Sequence, residues 1–408
     1  MPRPCRRYHP RLQYHRRGAF WGESSLFYSV SAPNPGNPPA AGPAGEGTAG
    51  ASAAGPAHPQ AAAASALPQS ATCVLLVRPA AFGYNEETAA TNQFQQRPAA
   101  QRRTVARDGG GGTAATGEGG HGASLQARAL GEFDALCAAL QAAGVRLCIA
   151  PDTAEPPRPD AVFPNNWVSW HHDGSVVLYP MQAKSRRAER RPELLAAAEA
   201  QAGFRRRRLI DLSAHEREGR YLEGTGSLVL DHRRRIAYVC RSARSDADLA
   251  AEWGRLLDYE PLVFDARAPD GSAPYHTNVM LAIGTHWAIV CTQAIVPADR
   301  ARVLGSLAAS GRSIVQIPVE AMQRFAGNVL ELEVRAGAGA GVARSAGRRE
   351  RRILALSASA AAALRGQAQG AWPTLQAGVD EIVAVDVSCI EQAGGGSVRC
   401  MLAEIFGT

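Results

Sequence analysis

Apolar residues along this chain fall into short unbroken runs that alternate with longer stretches of helical period. The first run, residues 72 to 79 (TCVLLVRP), stays apolar until a proline ends it, which predicts a buried strand. Leu125, Leu130, Phe133, Leu136, Cys137 and Leu140 then recur at helical spacing, with Ser124 as N-cap and Gly144 as the stop. Residues 145 to 149 form the next predicted strand. Further strands are predicted near 176–179, 227–230, 236–240, 279–283, 288–291 and 329–334, alternating with helices near 188–202, 245–257, 298–309 and 319–325. Such alternation with short links predicts an α/β fold. No self-similarity with a period of roughly 30 to 50 residues is visible, so the sequence by itself predicts no repeat architecture.

Composition adds three segments that break the pattern. Residues 1 to 70 carry two acids, Glu23 and Glu46, against six arginines, followed by an Ala/Gly/Pro stretch. They hold too little apolar side chain to offset ordering entropy and are expected to be disordered. An organelle transit peptide and a translated high-alanine extension both fit this leader, and the extension is favoured. Residues 98 to 123 and 335 to 350 are Gly/Ala/Arg-rich and are expected to be flexible surface insertions. The remainder, 71 to 408, is expected to be one domain. The chain's 46% apolar content suffices for a core, and no run of eighteen apolar residues predicts a membrane span.

Charge and cysteine usage narrow the partners. The formal +7 comes mostly from the leader, and patches such as 205–208 and 233–235 suit solvated loops, so no nucleic acid is expected. Eight cysteines without a CxxC pair suit reduced thiols in a cytoplasmic enzyme rather than a disulfide framework. No clustered metal-ligand spacing occurs, so no metal is expected. His171 and His172 precede the Asp173-Gly174 turn of a hairpin, and His232 sits in a basic loop.

Four stretches carry candidate chemistry. In 394–406 (GGGSVRCMLAEIF) a glycine run presents Cys400 beside Arg399, whose guanidinium would ease ionisation of a nucleophilic thiol. Asp160, Asn165 and Asn166 surround a predicted short apolar strand, as a hydrogen-bonded turn or a ligand-reading edge. Glu223 stands in LEGTGS at a strand mouth, where it could hold a cationic or N–H-rich substrate; the lone Gly-x-Gly lacks the rest of a dinucleotide fingerprint. His276 enters the next strand in YHTNVM and is suited to trade protons near neutral pH.

Together with YPMQAKSRRAERRPE (179 to 193) and FAGN (325 to 328), these stretches resemble the guanidino-group modifying superfamily of arginine deiminases, dimethylarginine dimethylaminohydrolases and amidinotransferases. The chain looks most like the citrulline-utilisation hydrolase branch, over the patterned sequence from residue 72 onward. That resemblance implies a pentein fold, five ββαβ-type modules arranged as a propeller around a polar pocket. It implies Cys400 as nucleophile, His276 as acid/base, Glu223 as the glutamate of a LEGG-type strand and Asp160 as holder of substrate N–H groups, with Asp160 and Glu223 together holding the ureido or guanidino group. It further implies Arg187 and Arg244 near the pocket, holding the substrate α-carboxylate, and no cofactor.

Asn165 and Asn166 depart from the family, because dimethylarginine hydrolases carry an acidic pair in this register. Amides offer a donor and an acceptor without charge, which suits a neutral ureido group. The expected reaction is hydrolysis of a ureido or guanidino C–N bond in a citrulline- or arginine-like amino acid. Amidino transfer to an amine, or non-catalytic binding of an arginine metabolite, are the alternatives. The expected partner is a small amino acid, and a homodimer is left open.

Overall fold

The five modules differ in sequence but share one pairing rule, in which a central strand takes an antiparallel neighbour on one side and a parallel neighbour on the other. The computed structural model describes residues 67–97, 118–335, 350–367 and 370–407. The first sheet holds β1 (Cys73–Arg78) and β2 (Arg146–Pro151) in parallel, with the last strand of the chain, β15 (Ala403–Ile405), antiparallel to β1. The others are β3 (Val168–Trp170), β4 (Ser175–Leu178), β5 (Arg208–Asp211); β6 (Leu228–Asp231), β7 (Ile236–Cys240), β8 (Glu260–Phe264); β9 (Leu281–Ile283), β10 (Trp287–Val290), β11 (Ser313–Gln316); and β12 (Leu330–Val334), β13 (Arg351–Ser357), β14 (Glu381–Val385). In each, the second strand is antiparallel to the first and parallel to the third. Parallel neighbours need a crossover, and a helix supplies it: Glu118–Ala142, Pro192–Ala202, Ala247–Leu257, Pro297–Ala308 and Ala358–Arg365 in the five modules. This is the α/β pentein architecture, five ββαβ modules of a propeller.

The first strands of successive modules contact one another, β15 with β3, β6 with β9 and β9 with β12, so they surround the axis. Hydrophobic cores fill the seams between modules. β1 serves two of them at once, because side chains alternate across a strand. Cys73, Leu75 and Val77 pack with Val168, Trp170 and Leu194, whereas Val74 and Leu76 pack with Leu332 and Ile353. That is why β1 reads as an unbroken apolar run.

Several expectations change. The helix expected to start at Ser124 spans Glu118–Ala142, so Ser124 lies inside it and the insertion expected to reach 123 ends before 118. Three glycines in its first turns, at 119, 120 and 122, are poor helix formers and hid the start. Gly144 does stop it, at φ +92°, with Val145 N donating to Leu140 O. Most of the leader and of both insertions lies outside the described residues. At the leader's expected end, Gln69 is buried and donates to Leu230 O at 2.8 Å, and Ser70 Oγ donates to Glu331 at 2.7 Å, so the ordered fold begins before 71. Among the described residues, no helix is long and apolar enough to cross a membrane.

Candidate active site

Each first strand is entered through a short turn, and these five turns carry the polar motifs to the axis. They are Pro164–Asn166 before β3, Gly224–Ser227 before β6, Thr277–Val279 before β9, residues 325–328 before β12 and Val398–Met401 before β15. The expected short strand between Asp160 and Asn165 is instead part of the first turn. Close approach is built into the second. A Cβ on Gly224 would stand 2.2 Å from Asn165 O, and one on Gly226 would stand 2.6 Å from both Asn166 Nδ2 and His276 Nδ1. LEGTGS therefore needs glycine for convergence rather than for phosphate.

A small cavity lies where the turns meet, and its walls include Asp160, Asn166, Arg186, Arg244, His276 and Cys400. Cys400 is 2% exposed and lines this space. Its sulfur lies against two amides, 3.7 Å from Asn278 Nδ2 and 3.3 Å from Asn328 Nδ2, which can donate to a thiolate. Arg399 does not take that role. Successive side chains on a helical turn point about 100° apart, and Arg399 turns away to bond Leu402 O and Glu404 at 2.9 and 2.7 Å.

His276 Nε2 lies 2.9 Å from Glu223 Oε2, with both side chains buried. Burial alone would raise the Glu223 carboxyl, but the Arg244 guanidinium at 3.5 Å and the His276 bond overcome it and hold it at about 2. Burial pushes His276 down to about 4, against the pull of Glu223. Near neutral pH the pair is a carboxylate and a neutral imidazole. A carboxylate only accepts, so Nε2 carries the proton and Nδ1 is left as an acceptor, with no partner in the protein. Glu223 is additionally fixed by Gln182 N at 3.0 Å.

Asp160 Oδ2 accepts from Asn85 and Thr88 at 2.7 and 3.1 Å, while its Oδ1 has no protein partner. Burial raises its pKa, against the opposing pull of Arg186. Asn166 lines the cavity. Asn165 does not; it is fully buried beside Thr225, 3.3 Å away. Arg244 lines the cavity, but its Nε and NH2 donate to Thr91 and Thr88. Arg187 lies outside, bonded to Met181 O and paired with Glu216. Its neighbour Arg186 occupies the place expected for it. Sequence reasoning also missed Thr88 and Asn92, which form a wall of the cavity, and Tyr275, whose hydroxyl holds Gly395 O at 2.7 Å. The motif HTNVM contains Asn278 and FAGN contains Asn328, so the signal for both was present.

Among the described residues, no group of three or more His, Cys, Asp or Glu could hold a metal. The seven described cysteines are free and buried.

A family model described as N,N dimethylarginine dimethylhydrolase, eukaryotic, matches residues 118–407. No curated protein matches the chain. Solved structures do. The N-terminal domain of ArgZ, an arginine dihydrolase from the ornithine-ammonia cycle in cyanobacteria, matches with TM-score 0.56 and 16% identity, over 82% of this chain and 98% of that one. A form of that domain has been seen covalently bound to a reaction intermediate. AgrE with L-arginine matches with TM-score 0.55 and 16% identity, over 82% of this chain and 40% of that one. A dimethylarginine dimethylaminohydrolase carrying an S-methyl-L-thiocitrulline adduct matches with TM-score 0.51 and 16% identity, over 82% and 99%. At these identities the likeness speaks for the fold.

Proposed function

Since the chain belongs to the N,N dimethylarginine dimethylhydrolase family, we propose that it hydrolyses a terminal C–N bond of a citrulline- or arginine-like amino acid through a Cys400 adduct, and that citrulline is preferred. One observation supports that preference. The cavity offers a buried donor without a protein partner, Asn166 Nδ2, and a buried acceptor without one, Asp160 Oδ1. A ureido group presents an oxygen to the first and N–H to the second, whereas a guanidinium presents N–H to both.

The reaction then follows from the residues. The Cys400 thiol gives its proton to His276 Nδ1, and the thiolate adds to the ureido carbon, moving the carbonyl pair onto oxygen. Asn166 Nδ2 meets that charge, as an oxyanion donor does. The imidazolium, stabilised by Glu223, returns the proton to the terminal nitrogen; the C–N bond breaks and ammonia leaves. An S-carbamoyl cysteine remains. Water, losing a proton to His276, attacks the adduct, the C–S bond breaks, and the resulting carbamate loses carbon dioxide to give ornithine.

Ammonia release from citrulline, arginine and methylated arginines, measured side by side, tests this. Citrulline is expected to give ammonia and ornithine, and Cys400→Ala to fall to background with an unchanged circular dichroism spectrum. Ammonia release retained by that variant would sink the proposal.

A further inference from the structure

We propose that Arg186 is a positioning residue that fixes which end of the Asn166 amide faces the reacting carbon, and thereby selects oxygen over nitrogen in the substrate; this rests on the hydrolase reading above. The two ends of an amide are nearly equal in shape, so only its partners decide which way it points. Arg186 NH1 lies 2.8 Å from Asn166 Oδ1. A guanidinium has donors and no acceptor, so turning the amide would set NH2 against N–H and forfeit a charge-assisted bond.

Arg186 cannot follow such a turn. Its Nε and NH2 are held by the two oxygens of Glu189, each at 2.9 Å, and NH2 also donates to Phe163 O at 3.1 Å. Arg186, Glu189 and Asn166 are 2%, 3% and 3% exposed, so water does not offer the amide an alternative partner. The far end of the amide, Nδ2, has no protein partner, and the absence of a Cβ on Gly226 leaves it room beside His276. A group placed there must accept a hydrogen bond. A ureido oxygen does, and so does the oxyanion that forms from it, but the N–H of a guanidinium does not.

The readout is the ratio of kcat/KM for citrulline to that for arginine. Replacing Arg186 alone would strand Glu189 beside Asp160, so the double variant Arg186→Gln/Glu189→Gln removes both charges together. Its citrulline-to-arginine ratio is expected to fall about 10-fold or more, because a site that misplaces one hydrogen-bonding group loses discrimination first. Asn166→Asp keeps an oxygen toward Arg186 and substitutes an acceptor for the donor; its ratio is expected to fall further, in favour of arginine. Equal losses on both substrates in the double variant, with the ratio unchanged, would overturn the assignment and leave Arg186 purely structural. Should the double variant not fold, an unchanged ratio in Asn166→Asp overturns it as well. Parent protein that releases ammonia from neither substrate removes the underlying hydrolase reading, a result distinct from an active parent with an unmoved ratio.

Discussion

Glu223 touches no reacting atom in the proposed scheme, yet it decides which nitrogen of His276 is free. Glu223→Gln leaves a neutral group that can either donate or accept, so the tautomer is no longer fixed and the imidazolium loses its counter-charge. Turnover is expected to fall by about 10²–10⁴-fold, the range for a misoriented general acid/base, with KM for citrulline little changed in steady-state ammonia assays. A loss confined to KM would instead assign Glu223 to binding. Residues such as Cys400, His276, Asp160 and Glu223 are legible in sequence because their side chains have chemistry of their own. Asn278 and Asn328 have none until folding brings both amides to one sulfur. Arg186 and Arg187 are adjacent on a short 3₁₀ turn whose phase no hydrophobic period sets, so the sequence could not say which faces inward.

At the level of strands, legibility follows the length and continuity of the apolar run. Strands such as β1, β7 and β10 show as unbroken runs, whereas β3 and β15 are buried but only three residues long, β13 opens on two arginines, and β5, β8, β11 and β14 leave most of their residues at least partly exposed, so none of these seven was predicted. Two inner turns hold the histidines. His171 and His172 follow β3 and His232 follows β6, with the His172 and His232 rings 4.3 and 4.4 Å from Phe406 after β15. Burial pushes His171 down to about 3 and His172 to about 4, and takes His232 well below its ordinary 6.5. These imidazoles stay neutral in the native state while the unfolded chain takes up protons below pH 6.5. Their contribution is complete above that value and shrinks as pH falls. Glu189, held by burial at about 7, acts oppositely, since the native state binds its proton first. Comparison with a variant separates the two. His232→Gln is expected to lose less stability than the parent between pH 7 and 5, by up to about 1.4 kcal/mol per pH unit below 6.5. Urea midpoints at both pH values measure it, and parallel losses would clear His232 of any part in acid sensitivity.

For the molecule as a whole, the α/β class is legible from alternation alone, but the fivefold plan is not. The five axial turns read PNN, GTGS, TNV, FAGN and VRCM, so their structural equivalence leaves no common word in the sequence. The residues matched to the family model begin at 118, yet the first sheet needs β1, forty residues earlier, as its central strand. β15 belongs to that same sheet, with Cys73 opposite Ile405 and Leu75 opposite Ala403. The strand that follows the Cys400 turn is thus clamped by one from the other end of the pattern. A ring joined in this way has no privileged first blade. A circularly permuted chain, with 407 linked to 67 by a short Gly/Ser bridge so that Gln69 and Ser70 are kept, and new ends cut at the exposed stretch between 154 and 155, is expected to fold and release ammonia as the parent does. Loss of both fold and turnover in that permutant would mean that the order of synthesis, and not only the seam, carries information the blades require.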